Sequence, residues 1–287
     1  MKNTYIIAVS GGVDSVVLLH KLISVKPPSV EYVVAHFDHG IRENSAEDAE
    51  FVKQLAEKYN VPFISKRVEM GLGASEDAAR VLRYEFLFEC VAKHKAEGLI
   101  TAHHQDDVLE TMILNILRGS GPRGLIGYSR SGIIRPFIRK TKQELSQYAQ
   151  DHKLSWREDE TNNDVRYLRN NIRQNIMPKI SESDRNKLLD IRERMIEIYS
   201  EIDNLAKKTL VQTMKKKELV RARFVVLPLV VQKEVVYLWL RLSNVAVDRT
   251  MIDRLVLAIK TMQPNKKVDV VGGAVMYIKE KTIVLNI

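Results

Sequence analysis

The stretch Thr4-Tyr5-Ile6-Ile7-Ala8-Val9-Ser10-Gly11-Gly12-Val13-Asp14-Ser15 decides the fold. A short β-rich apolar run ends at a glycine pair. Val16, Val17, Leu18, Leu19, Leu22 and Ile23 then continue as a helix buried over most of its circumference. The same order of strand, turn and helix recurs downstream. Residues 31–37 read as a second strand. Ser45 is the N-cap of a helix whose inner face is Ala49, Val52, Leu55, Ala56 and Tyr59. Residues 61–68 read as a third strand, and 75–95 as a long helix with Ala79, Leu82, Phe86 and Val91 inward. A strand over 98–102 leads to a helix over 106–117 that stops before Gly119. Strands alternating with helices of this length predict an α/β fold, a parallel sheet with helices on both faces.

Ligands of such sheets bind beyond the carboxyl ends of the strands. Ser10–Ser15, His36–His39 and His103–Asp107 should therefore converge on one crevice. Adjacent glycines let successive N–H groups point into one concavity, and the helix that follows offers unpaired donors of its own, so the first turn reads as a phosphate cradle. Ser10 and Ser15 add hydroxyls, and Asp14 is the candidate ligand for a magnesium ion held between phosphates. The turn lacks the lysine of a Walker loop and the Gly-x-Gly-x-x-Gly of a dinucleotide fingerprint.

The whole chain has 287 residues, is 45% hydrophobic and 28% charged, and carries a net charge of +9. These values exclude disordered and collagen-like chains. The excess charge is localised: −2 over residues 1–100, +3 over 101–200 and +8 over 201–287. Between Glu110 and Glu144 no acidic residue occurs, whereas Arg118, Arg123, Arg130, Arg135, Arg139, Lys140 and Lys142 do. A localised cationic surface attracts a polyanion. One cysteine, Cys90, excludes an internal disulfide framework and any cysteine-cluster metal site. The histidine pairs His36/His39 and His103/His104 make poor zinc chelators. No apolar run approaches the roughly 20 residues of a membrane span, and the expectation is a cytoplasmic protein without membrane contact.

Ser10-Gly11-Gly12-Val13-Asp14-Ser15 resembles the pyrophosphate loop of the N-type ATP pyrophosphatases, the PP-loop superfamily. Ala35-His36-Phe37-Asp38-His39-Gly40-Ile41-Arg42, Ala79-Arg80-x-x-Arg83-Tyr84 and Thr101-Ala102-His103-His104-x-Asp106-Asp107-x-x-Glu110-Thr111 resemble motifs of the tRNA(Ile)-lysidine synthetase family. So do Leu117–Leu125, Arg135-Pro136-Phe137 and Asp159-x-x-Asn162-x-Asp164-x-x-Tyr167-x-Arg169-Asn170-x-Ile172-Arg173. The resemblance covers roughly residues 4–180.

It implies an adenine nucleotide alpha hydrolase-like fold and an ATP-dependent ligase. Such an enzyme adenylates the wobble cytidine of tRNA(Ile) with a CAU anticodon, then replaces AMP with free L-lysine. ATP and magnesium would be held by Ser10, Gly11, Gly12, Val13, Asp14 and Ser15, with Ala35, Phe37 and His103 as further nucleotide contacts. Asp107 and Glu110, three apart on one helix face, would bind the lysine ammonium, act as general base or take a second magnesium. Asp38 is a base or metal contact, or a turn former. Arg118 is placed with the catalytic set, and Arg83, His104, Arg123, Arg169 and Arg173 with the tRNA and lysine. Arg166 adds to the last cationic face, and Trp156 and Tyr167 are candidates for stacking or core. The stretch 118–142 reads as a flexible arginine loop beside the site.

The expected domains are a catalytic unit over 1–180, a linker helix over 181–220 and a small α+β domain over 221–287 that contacts tRNA. The helix, over 184–220, carries Ile191, Met195, Ile198, Ile202, Leu205 and Leu210 on one side. Next come a helix over 227–242, with Val231, Val235, Leu238, Trp239 and Leu242 inward, a helix capped by Asp248, and strands turning at Gly272-Gly273. A second appended domain of longer family members has no room in this sequence. The readings leave room for a homodimer. Competing readings are a related PP-loop enzyme that thiolates tRNA and a catalytically silent RNA-binding module.

Overall fold

The structure, a computed structural model, describes residues 2–40, 45–70, 76–128, 132–157 and 168–287, without the side chains of residues 45, 46, 76 and 77. Expectations placed on Ile41, Arg42, Ser75, Arg130, Asp159, Asn162, Asp164, Arg166 and Tyr167, and on the Ser45 side chain, lie outside the described residues. The chain forms two units, Met1–Gly119 with Gly127–Asp190 and Ser120–Ile126 with Ile191–Ile287.

The first unit contains β1 (Asn3–Ala8), α1 (Val13–Ser24), β2 (Val30–Asp38), α2 (Ser45–Lys58), β3 (Phe63–Arg67), α3 (Glu76–Lys93), β4 (Gly98–Ile100), α4 (Gln105–Leu117), β5 (Ile133–Ile134), α5 (Lys142–Asp151) and the short α6 (Leu168–Asn171). The strands form one parallel sheet in the order β3-β2-β1-β4-β5. Both faces are covered, which is why β1 is apolar at successive positions instead of alternating. Ile7 and Val34 pack with Val17 and Leu18 of α1, Val52 of α2 and Leu145 of α5. On the other face Ile6, Val33 and Leu99 meet Tyr84, Leu87 and Cys90 of α3. Full burial of such aliphatic side chains stabilises by about 1.5–3 kcal/mol each.

The chain proceeds from β1 outward through β2 and β3, then returns to the other side of β1 with β4. The strand order therefore reverses between β1 and β4, and the crevice beyond their carboxyl ends is the binding position such a topology offers.

One expectation needs correction here: residues 118–142 are not one flexible loop. Ile133 and Ile134 pair in parallel with Leu99 and Ile100, the Thr101 N–H donates to the Ile134 carbonyl at 3.0 Å, and Phe137 is buried.

The second unit takes the later part of α7 (Glu182–Thr213), then β6 (Met214–Lys215), β7 (Glu218–Val220), α8 (Arg221–Val225), α9 (Leu229–Leu242), α10 (Arg249–Thr261), β8 (Lys266–Asp269), β9 (Val275–Ile278) and β10 (Thr282–Asn286). Its sheet is antiparallel, in the order β6-β7-β10-β9-β8. The helix expected to continue to residue 220 stops at Thr213. Lys216 and Lys217 adopt φ of 51° and 66°, the left-handed pair a two-residue hairpin turn requires, and Leu219 enters the core behind it. The boundary between these units falls inside α7, at Asp190 and Ile191. On α7, Leu210 is buried, whereas Ile191, Ile198 and Leu205 are exposed; on α9, Leu242 is exposed instead of inward. Asp248 caps α10 as expected, accepting from the Met251 N–H at 2.8 Å. Among the described residues no helix is long and apolar enough to cross a membrane.

Candidate active site

The loop after β1 is built around one hydroxyl. Ser15 Oγ donates to the Gly12 carbonyl at 2.8 Å and accepts from the N–H groups of Ser10 and Gly11, both at 3.2 Å. Gly11 has φ of +94°, a conformation that L side chains rarely adopt, and a Cβ there would stand 3.4 Å from Val52. Gly12 is the N-cap of α1 and supplies no side-chain cap; the Ser15 N–H donates to its carbonyl at 3.1 Å, so the N–H groups of Val13 and Asp14 are the first-turn donors left for a ligand. The Arg157 N–H closes the loop from behind by donating to the Gly11 carbonyl at 3.0 Å.

A cavity of about 470 Å³ opens beside this loop, lined among others by Ser10, Gly12, Asp14, Ser15, Ala35, Phe37, Asp38, Arg83, His103 and Arg157. Asp38, buried at the end of β2, accepts from the Gly40 N–H at 2.9 Å and from Arg67 at 3.2 Å. It is thus a turn former paired with a cation, and acting as a base requires releasing Arg67. His36 is a core histidine whose Nδ1 lies 2.9 Å from the Val9 carbonyl oxygen.

Arg80, Arg83 and Arg135 cluster on the rings of Tyr84 and Tyr128, at 5.3–5.4 Å from the centroids. None of the three forms an ion pair with a carboxylate among the described residues. Burial holds the guanidinium pKa of Arg83 and of Arg135 below its ordinary value. Burial, aided by these arginines and opposed by Asp107, lowers His103 to about 3, so its imidazole is neutral. The Tyr128 ring lies 4.5 Å from that of His103.

The first turn of α4 carries the acidic face. The Asp107 carboxylate accepts from the His104 N–H at 3.0 Å, capping the helix. Burial works against its charge, yet His104, His103, that N–H and Arg169 together hold the carboxyl below its ordinary pKa. His104 Nε2 lies 3.7 Å from Asp14 and 3.6 Å from Asp107, linking loop and helix. Glu110 is 1% exposed and accepts from Arg169 at 3.1 Å and from Arg173 at 2.7 and 2.9 Å. Asp106 pairs with Arg185.

The family model for the PP-loop domain matches residues 1–180. The chain belongs to the PP-loop family. A tRNA(Ile)-lysidine synthase of Thermotoga sp. (strain RQ2) is 39% identical over 186 residues, which are 62% of this chain and 45% of the relative. One from Thermosipho africanus (strain TCF52B) is 39% identical over 215 residues, 71% of this chain and 50% of the relative. One from Legionella pneumophila (strain Paris) is 38% identical over 184 residues, 62% and 42%. The chain thus spans about half the length of the curated relatives it matches. Among solved structures, the U34-tRNA thiolase NcsA from Methanococcus maripaludis, with its 4Fe-4S cluster, superposes with a TM-score of 0.59 at 16% identity, covering 69% of this chain and 73% of that one. At that identity the likeness concerns the fold.

PP-loop membership implies ATP binding, and the cavity beside Ser10–Ser15 is the candidate volume for it. Magnesium brought with ATP would meet Asp14 of the loop. Among the described residues no group of three or more His, Cys, Asp or Glu could hold a metal by itself. One carboxylate plus phosphate oxygens is a donor set magnesium accepts, so these residues fit the ion.

Of the expected residues, Ser10, Gly12, Asp14, Ser15, Ala35, Phe37, Asp38, Arg83 and His103 line the PP-loop cavity, whereas Asp107 and His104 are not among its lining residues. Glu110 does not face solvent or the cavity; its oxygens are taken by Arg169 and Arg173, and those two arginines are correspondingly engaged. Arg123 lies in the second unit, between the rings of Tyr199 and Tyr237 at 4.2 Å each, with Asp203 at 2.7 Å and Glu234 at 2.6 Å. Its charge is thereby neutralised within the fold, which removes the ground for reading it as a phosphate contact. Arg118 is exposed at the end of α4.

Sequence reasoning missed Arg157, which holds Asp48 at 3.0 Å and Glu47 at 2.7 Å while supporting the loop, and Lys142, which reaches Asp14. Neither has a local signal, since each acts across more than a hundred residues.

Proposed function

We propose that this chain carries the catalytic unit of a tRNA(Ile)-lysidine synthase. It attaches free L-lysine to C2 of the wobble cytidine of tRNA(Ile) with a CAU anticodon, using ATP. In the first step the cytidine C2 oxygen bonds to the α-phosphorus and pyrophosphate departs. In the second the ε-amine of lysine bonds to C2, AMP leaves with that oxygen, and the amine loses a proton.

The observation that carries this reading is the 39% identity to tRNA(Ile)-lysidine synthase over 186 residues, beside a PP-loop match over residues 1–180 that takes in the loop and the residues lining the cavity. The N–H groups of Val13 and Asp14 at the start of α1 offset charge on the departing pyrophosphate. Magnesium supplies Lewis-acid neutralisation of the phosphates when bound. Asp107, held below its ordinary carboxyl pKa, is suited to bind the lysine cation as a carboxylate, and neutral His103 can donate or accept a hydrogen bond at the cavity wall.

Cys90, the one cysteine of the sequence, is buried, and burial beside Glu89 pushes its thiol pKa up, which counts against a sulfur-transfer reading. The proposal places the chain in the cytoplasm and allows a homodimer.

The test is incubation with ATP, magnesium, labelled lysine and a CAU-anticodon isoleucine tRNA transcript. Label should enter the tRNA, and Asp107→Asn should lower transfer at least about a hundredfold. Bound tRNA that acquires no label with the wild-type chain rejects the reading.

A further inference from the structure

The PP-loop lacks a lysine in its own sequence, yet one is delivered to it from elsewhere. Lys142 Nζ lies 2.8 and 2.7 Å from the two carboxylate oxygens of Asp14, the second residue of α1. Three contacts set this placement. Thr141 and Glu144 form a capping box at the start of α5, with the Thr141 N–H on Glu144 at 2.7 Å and the Glu144 N–H on Thr141 Oγ1 at 3.1 Å. The same Glu144 takes Lys140 at 2.6 Å, leaving Lys142 as the first-turn lysine that turns to the loop. The Gln105 N–H donates to the Lys140 carbonyl at 2.9 Å, fastening this start to the first turn of α4 at the crevice. Farther along, Tyr148 of α5 bonds His20 of α1 at 3.0 Å and lies under Lys21 at 4.2 Å, so the two helices run together.

A partly exposed Lys–Asp pair adds little to stability, so the fold does not depend on it. Its location has a chemical meaning. Asp14 is the carboxylate that suits magnesium, and a divalent ion competes with an ammonium for the same two oxygens. A lysine on a flexible four-carbon stem, displaced at that spot, stands beside the donors of the loop and the first turn of α1. In Walker loops a lysine reaches the β- and γ-phosphates.

We propose that Lys142 is the phosphate-binding lysine of this loop: it rests on Asp14 and moves to the β- and γ-phosphate oxygens when magnesium takes the Asp14 carboxylate. The proposal rests on the ATP-binding reading and is independent of the acceptor.

The test is calorimetric binding of ATP, inorganic pyrophosphate and AMP, each with magnesium, to the full chain and its Lys142→Met and Lys142→Arg variants. Lys142→Met should weaken ATP and pyrophosphate about 10-fold or more, the loss of one charge-assisted hydrogen bond or two, and leave AMP within about twofold. Lys142→Arg should recover most of the loss. Equal losses for AMP and ATP, or none for either, overturn the proposal.

A second arm uses Asp14→Asn with EDTA present. Freeing Lys142 should tighten magnesium-free ATP binding relative to wild type, and adding Lys142→Met should abolish the gain. An unchanged or weaker magnesium-free affinity in Asp14→Asn also overturns it. A wild-type chain that binds neither ATP nor pyrophosphate rejects the ATP reading beneath it, whereas a chain that binds both and fails only to transfer lysine leaves Lys142 in place and rejects only the acceptor.

Discussion

Arg173 grips Glu110 through two parallel hydrogen bonds, Nε to Oε1 at 2.7 Å and Nη2 to Oε2 at 2.9 Å. Arg169 adds a third to Oε2 at 3.1 Å and carries its other arm to the Tyr128 hydroxyl at 2.8 Å. Glu110 therefore ties α4 to the helical turns around residue 170, next to the site and not within the cavity wall. Removing one partner of a buried charge cluster leaves the others uncompensated. Glu110→Ala should cost about 3–5 kcal/mol in urea unfolding. A loss below about 1 kcal/mol would mean the arginines repair themselves with solvent.

The two loop glycines separate strain from ligand approach. Gly11→Ala must hold φ near +94° with a methyl against Val52, so it should destabilise the fold by about 1–3 kcal/mol. Gly12 has φ of −71° and only Ser10 Oγ within 4 Å of its built Cβ, at 3.6 Å. Gly12→Ala should melt close to wild type yet bind ATP more weakly, because the methyl intrudes where phosphate approaches. Paired melting curves and ATP titrations read both effects.

The lowered pKa of His103 makes the folded state bind its proton less readily than the unfolded chain does. Above pH 6.5 both states are neutral there and the residue adds no pH dependence. As pH falls from 6.5 toward about 3, the unfolded state gains the proton first and stability declines. In a histidine-resolved NMR titration the His103 ring should not move between pH 8 and 5, and His103→Gln should flatten part of the acid side of the stability curve. A His103 midpoint near 6.5 removes the assignment of a neutral ring.

Arg123 and Arg118 should part company. Arg123→Lys keeps the charge but loses the planar fork shared by Asp203 and Glu234 and the stacking on Tyr199 and Tyr237, and should cost about 1–3 kcal/mol. Arg118→Ala should leave the melting temperature unchanged and reduce the steepness of log K against log salt for tRNA by about one. An unaltered salt slope excludes Arg118 from the phosphate contacts.

Much of the first unit was legible because its strands are buried on both faces and its helices are long, so β1, β2 and the Gly11-Gly12 turn announce themselves in composition. The two-residue β5 did not: Ile133 and Ile134 look like any apolar pair in a cationic loop until Leu99 and Ile100 provide a ladder. The hairpin at Lys216-Lys217 was hidden because lysines are good helix formers, and tertiary packing of Leu219 overrode that preference. The sequence places candidates at strand ends, and Ser10, Asp38 and His103 do line one cavity. Their partners were not legible, since Arg67 on Asp38, Lys142 on Asp14 and Arg173 on Glu110 are spatial neighbours far apart in the chain. A run without acids marks local charge but not which carboxylates elsewhere will claim it, as Arg123 illustrates.

Residues Ser120–Ile126 belong to the second unit although the first unit resumes at Gly127. Their anchors all come later in the chain: Arg192 Nε donates to the Ile126 carbonyl at 2.7 Å, and Asp203 and Glu234 hold Arg123. No single cut in the chain separates the two units. A truncation after residue 190 would strip this segment of its carboxylates and its donor, leaving an uncompensated cation and a bare apolar turn attached to the ATP-binding half. Anyone transplanting the first unit into another scaffold would have to redesign these seven residues or carry the second unit along.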